Sequence, residues 1–112
     1  MSVKIKALSH FERRAKRLQK KYDTLIEDIA ELSVSLKKTP MQGSNLGGGF
    51  YKIRMASQSK GKGKSGGFRV ITYFVEQRAE GEVIYLVTIY DKSEQASISK
   101  NELSKILKVE IM

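Results

Sequence analysis

Residues 68–90 read FRVITYFVEQRAEGEVIYLVTIY, and this stretch decides the fold. Aromatic and β-branched residues dominate both ends, Phe68 to Glu76 and Glu82 to Tyr90, so each end is expected to be a strand. Between them Gln77-Arg-Ala-Glu-Gly81 is short and polar and ends in glycine, which suits a hairpin loop. Strand alternation places Arg69 and Tyr73 on one face of the first strand, opposite Phe68, Val70, Thr72 and Phe74.

Working upstream, Phe50 to Ala56 (FYKIRMA) has the same period of two and completes a three-stranded antiparallel meander. With Tyr51, Ile53 and Met55 toward a core, the sheet presents Lys52, Arg54, Arg69 and Tyr73 together. An uncharged loop with four glycines, Met41 to Gly49, precedes it. Before that the rhythm becomes helical. Phe11, Ala15, Leu18, Tyr22, Leu25, Ile29, Leu32 and Leu36 recur at steps of four and three. Asp23-Thr24 offers a cap in the middle, and Glu27, Asp28 and Glu31 suit the start of a second helix. The expectation is a helical hairpin, about residues 9–21 and 24–37. Ser9-His-Phe-Glu12 has capping-box spacing and places solvent-exposed His10 in a first turn. Lys37-Lys-Thr-Pro40 closes the helical region.

At the two ends, Val3-Lys-Ile-Lys-Ala-Leu8 alternates like a short edge strand with its lysines in water. Ser97 to Lys108 reads as a closing helix with Leu103, Ile106 and Leu107 on one face. The fold class is therefore α+β: strand, helical hairpin, three-stranded meander, helix. At 112 residues one domain over 1–112 is expected.

Composition excludes much. The chain has no Cys, which removes disulfides, iron–sulfur clusters and thiolate zinc sites, and its single His removes a two-histidine acid/base pair. No metal or cofactor is expected. No apolar run is long enough to span a bilayer and the first residues lack an apolar leader, so a cytoplasmic protein is expected. The net charge of +9 lies in blocks: +7 over residues 1–22, −4 over 23–31, +8 over 32–75 and −2 over 76–112. The 44 residues from Leu32 to Val75 contain no acid, and such a field attracts polyanions.

Gly61-Lys-Gly-Lys-Ser-Gly66 matches a dinucleotide fingerprint in letters only, because a strand rather than a helix follows it. Gly63-Lys-Ser65 likewise imitates a P-loop whose first glycine position holds Gln58. What remains is a glycine-rich loop carrying Lys60, Lys62 and Lys64 beside a basic sheet face with an aromatic on it. That combination fits RNA, with cations on phosphates and a ring against an unpaired base. A basic hairpin tip next to a core tyrosine is the plainer alternative.

Four segments carry a resemblance: Phe11-Glu-Arg-Arg-Ala-Lys-Arg-Leu18, Tyr51-Lys-Ile-Arg-Met55, Gly61 to Ile71, and Ile89-Tyr-Asp-Lys-Ser-Glu94. Together they resemble the RelE/ParE toxin superfamily, close to its HigB-like branch. The resemblance implies a type II toxin neutralised by a cognate antitoxin, HigA-like with a helix-turn-helix or RelB-like, in a toxin–antitoxin hetero-oligomer. It further implies ribosome-dependent mRNA cleavage without metal, or alternatively ParE-like gyrase inhibition or a non-catalytic RNA-binding module. Cleavage through the ribose 2′-hydroxyl needs a base, an acid and charge stabilisation. Crowding by cations favours the neutral form of a lysine. The resemblance thus implies Lys64 or Lys92 as base, or Lys92 as acid. Arg69, assisted by Arg54, would hold the scissile phosphate, and Glu94 would act as a base or orient Lys92. Tyr73 and Tyr90 would stack on bases, while Lys52, Lys60, Lys62, Arg13 and Arg17 would bind the RNA backbone. Unlike histidine-using relatives, the C-terminal region has no His.

Overall fold

A computed structural model describes residues 3–59, 67–77, 79 and 81–111. The elements in chain order are β1 (Val3–Ala7), α1 (Ser9–Gln19), α2 (Leu25–Lys38), β2 (Ser44–Gly47), β3 (Phe50–Met55), β4 (Phe68–Gln77), β5 (Gly81–Asp91) and α3 (Lys100–Glu110). The strands form a five-stranded sheet in the order β1-β5-β4-β3-β2. The expected α+β architecture is present. β3, β4 and β5 form the antiparallel meander, and β1 joins β5 in parallel, which makes the sheet mixed.

β4 and β5 lie inside the sheet with both faces covered, which explains their nearly continuous apolar sequence. One face packs Ile53, Met55, Phe68, Val70, Ile84, Leu86 and Ile89 against the α1–α2 stripe foreseen from the helical rhythm. The other packs Phe50, Ile71, Val87 and Tyr90 against Leu103 and Leu107 of α3. The two layers meet at an irregularity. Ile71 pairs with Thr88 but Thr72 pairs with Leu86, so Val87 is an extra residue in β5. A bulge of this kind reverses which side of the sheet each later residue faces. Because of it, Leu86 and Ile89 share the hairpin side, while Tyr85, Val87 and Tyr90 share the α3 side.

Three local expectations are corrected. The capping box of α1 does not form. The Leu8 amide stays in the sheet, donating to the Leu86 carbonyl, so Leu8 caps the helix and Ser9 is its first residue. The Ser9 amide instead donates to the Glu110 carboxylate of α3. Thr24 does cap α2, but its hydroxyl donates to Asp28 at 3.2 Å rather than to a free amide. The expected loop over 41–49 contains a fourth antiparallel strand, β2, paired with β3. Ser99, by contrast, caps α3 through its side chain as the sequence suggested.

β2 turns into β3 through Gly47, Gly48 and Gly49, all at positive φ. Gly43, at φ +95, is tighter still: an added Cβ would lie 2.4 Å from the Lys52 carbonyl oxygen. Gly43→Ala is therefore expected to cost more than the ~1–2 kcal/mol of a left-handed alanine alone. Gly48→Ala, at φ +63 with only an ordinary van der Waals contact to Phe50 at 3.9 Å, should cost no more than that. Denaturant midpoints of the two variants check the order.

Candidate functional site

Residues paired across a sheet point to the same side, so the registers define a surface directly. Arg54 pairs with Arg69, and Arg69 pairs with Tyr90, giving one row across β3, β4 and β5. The next row is Lys52, Ile71 and Thr88, and beyond it lie Phe50, Tyr73 and Tyr85. The face expected to present Lys52, Arg54, Arg69 and Tyr73 is thus assembled by the pairing, on the side that α3 partly covers.

The individual side chains differ in access. Arg54 is exposed and Lys52 half-buried. Arg69 is only 4% exposed, and its Nη1 donates to the Phe68 carbonyl at 3.3 Å. Two guanidinium-bearing residues directly opposite each other repel, and an anion between them relieves that repulsion. Tyr73 is half-buried, its ring centroid 5.1 Å from that of Phe50 and 6.4 Å from that of Tyr85.

Tyr90 departs from its expected role. It is 1% exposed beneath α3, so its ring offers no free face to a base in this conformation. Its hydroxyl has no hydrogen-bond partner among the described residues. Burial pushes the phenol up from its ordinary value against the opposing charge of Arg69, so it stays protonated. It lies beside Arg69 as a neutral, buried phenol.

Lys92 and Glu94 are exposed in the turn after β5. The Glu94 carboxylate lies 3.9 Å from Arg17 of α1, so its ion-pair partner is that helix rather than Lys92. Arg13 is also exposed, one turn earlier on the same helix. Lys60, Lys62 and Lys64 lie outside the described residues. Among the described residues, no group of three or more metal-ligating side chains occurs, and no helix is long and apolar enough to cross a membrane.

Sequence reasoning missed the residue that organises this turn. Asp91, 1% exposed, accepts from the Tyr22 hydroxyl at 2.9 Å and from the Ser93 amide and hydroxyl at 2.9 and 2.8 Å. Its carbonyl accepts from the amides of Glu94 and Gln95, both at 3.0 Å. The available signal was an acid ending a strand otherwise free of charge from Val83 onward. His10 was also misjudged. It is half-buried, with Nε2 3.0 Å from the Thr88 hydroxyl.

On this small α+β fold a basic sheet face with paired arginines is flanked by a turn bearing a lysine and a carboxylate. The family model for the RelE toxin of the RelE/RelB toxin–antitoxin system matches residues 3–110. The chain belongs to this family and is a type II toxin. The match implies an antitoxin partner.

Two measurements check this geometry. Tyr22→Phe removes one hydrogen bond to the buried carboxylate, and chemical denaturation is expected to show a loss of about 1.5–3 kcal/mol. Burial first, then the charges of Arg14 and Arg13, hold His10 below its ordinary value of 6.5, with Glu110 pulling the other way. The folded chain then binds fewer protons at this ring than the unfolded chain. The associated stability is complete above the unfolded value of 6.5 and is lost as pH falls through and below it. Denaturant midpoints should decline on acidification through that range, and His10→Asn should flatten the decline.

Proposed function

We propose that this toxin is a metal-independent endoribonuclease that cuts mRNA on the ribosome, in the cytoplasm, until a cognate antitoxin covers the site. The observation that carries the reading is the Arg54–Arg69 pair on an otherwise acid-free sheet face beside the Lys92–Glu94 turn. In this reading the ribose 2′-oxygen attacks the adjacent phosphorus and the 5′-oxygen leaves. A 2′,3′-cyclic phosphate and a 5′-hydroxyl result. Arg69 and Arg54 stabilise the charge that builds on the non-bridging oxygens. A guanidinium is not a proton donor or acceptor in protein catalysis, so proton transfer falls to lysine or carboxylate. Lys92 protonates the leaving oxygen; Lys64 or Glu94 accepts the 2′-hydroxyl proton.

The RNA backbone follows Lys52, Lys60, Lys62, Arg13 and Arg17, and the half-buried Tyr73 offers its accessible edge to a base. Ribosomal RNA holds the message in place and so reduces what the small protein must position by itself. The antitoxin partner, HigA-like or RelB-like, would complement the acid-free face with acidic groups in a hetero-oligomer.

The test is inducible expression in a bacterium with mRNA 5′ ends mapped. New 5′-hydroxyl ends within translated frames are expected, absent from a reporter lacking its start codon. Arg54→Gln alters an exposed residue and should lower cleavage about 10²-fold; Arg69→Lys should lower it at least as much. Growth arrest with unchanged mRNA ends overturns the reading. Gyrase–DNA adducts in that case indicate a gyrase inhibitor, and normal growth with abundant folded protein indicates a non-catalytic RNA-binding module.

A further inference from the structure

Away from the paired arginines, one cavity gathers Arg14 and Lys105 beside His10, with no carboxylate in ion-pair contact with Arg14 among the described residues. It measures about 250 Å³ and lies between the start of α1, β5 and α3. Its walls include His10, Arg14, Thr88, Gln95, Glu102 and Lys105. Arg14 is half-buried there. Its Nε donates to the Ile89 carbonyl at 3.2 Å and its Nη2 to the Gln95 side-chain oxygen at 3.3 Å, both neutral acceptors. Among the described residues no carboxylate lies within ion-pair distance of this guanidinium.

One acid, Glu102, lines the cavity, and Glu94 and Glu110 act on Arg14 and His10 from outside it; each has a partner of its own. Glu102 belongs to the Ser99 cap of α3, where the Ser99 hydroxyl donates to it at 3.5 Å. Glu94 pairs with Arg17, and Glu110 accepts from the Ser9 amide. A half-buried guanidinium held by neutral acceptors keeps donors whose planar fork matches a carboxylate or phosphate.

We propose that this cavity is a phosphate-binding subsite, which takes the phosphate group of a nucleotide between Arg14, Lys105 and the edge of the His10 ring. The volume suits a phosphate with its sugar and is below that of a pocket for a larger ligand. Burial first, and then the charges of Arg14 and Arg13, hold the neighbouring imidazole below its ordinary value, with Glu110 pulling the other way. The site adjoins the turn after β5 through the Arg14–Gln95 hydrogen bond. Gln95 closes the turn that carries Lys92 and Glu94, and Arg14 shares α1 with Arg13 and Arg17. A strand lying on the Arg54–Arg69 face can therefore leave a flanking phosphate here. That role rests on the nuclease reading; phosphate binding itself does not.

His10 is the only histidine of the chain, so its ring resonances report on the cavity without ambiguity. The experiment is an NMR titration of the full chain with inorganic phosphate, with potassium chloride at matched ionic strength as control. A saturable change at His10 is expected, with its pKa rising because an adjacent anion favours the imidazolium. Arg14→Gln should weaken binding about tenfold or more. Lys105→Gln should weaken it severalfold; that side chain makes no hydrogen bond within the described fold, so its loss leaves folding intact.

An equal response to chloride, a response that never saturates, or affinity unchanged in both variants overturns the proposal. Adenosine monophosphate and a short oligoribonucleotide then separate the sources. Equal affinity identifies a free nucleotide, and tighter binding of the oligonucleotide identifies a bound strand. A chain that binds phosphate here but cuts no message keeps this subsite and rejects the nuclease. A chain that cuts message without the His10 response does the reverse.

Discussion

The extra residue at Val87 in the β4–β5 ladder is the constraint on which the rest of the molecule depends. Without it, strict alternation would send Tyr90 toward the helical hairpin and Asp91 toward α3. With it, Tyr90 lies beside Arg69 on the α3 side, and Asp91 lies beside Phe68 on the hairpin side. There Tyr22 reaches both: its ring contacts that of Phe68 edge-on at 5.1 Å and its hydroxyl meets the Asp91 carboxylate. One inserted residue thus sets the polar neighbour of the buried arginine and the anchor of the turn that follows.

The stability cost of the sheet face is easier to understand in this light. An apolar cross-strand pair at positions 54 and 69 would pack better than two arginines in register. The surrounding structure offsets that cost elsewhere, through two apolar layers and a central pair of strands buried on both sides. Charge in this chain is therefore unevenly used. Asp28, Asp91, Glu94, Glu102 and Glu110 are taken up by caps, turns and the Arg17 pair, while the Arg54–Arg69 row carries no acid.

Much of this is legible in the amino-acid sequence. The helical stripe from Phe11 to Leu36 and the period-two strands gave the layers, because both report burial, which periodicity encodes. The Lys52, Arg54, Arg69 and Tyr73 face was legible for the same reason. β2 was not, since Ser44-Asn-Leu-Gly47 has no β-branched residue and pairs only because a glycine turn brings it back onto β3. The bulge left no sequence mark, and neither Tyr90's burial nor His10's bond to Thr88 can be read from letters. Each depends on where a distant helix docks: α3 over Tyr90, and α1 along β5 for His10.

The single histidine bears on the chemistry in a further way. His10 is engaged with Thr88 in the α1–β5–α3 cavity and is held toward its neutral form there, so it is not the acid/base pair of familiar ribonucleases. On the nuclease reading, proton transfer then depends on side chains in loops, whose geometry is set by whatever fixes those loops. For Lys92 and Glu94 that fixture is Asp91. Its carboxylate holds the Ser93 backbone, its carbonyl holds the next two amides, and Tyr22 ties it to the helical hairpin. A carboxylate that touches no RNA in this arrangement would then govern how well the turn meets the leaving oxygen. On that reading, packing between the helical hairpin and the sheet would bear directly on proton transfer rather than only on stability.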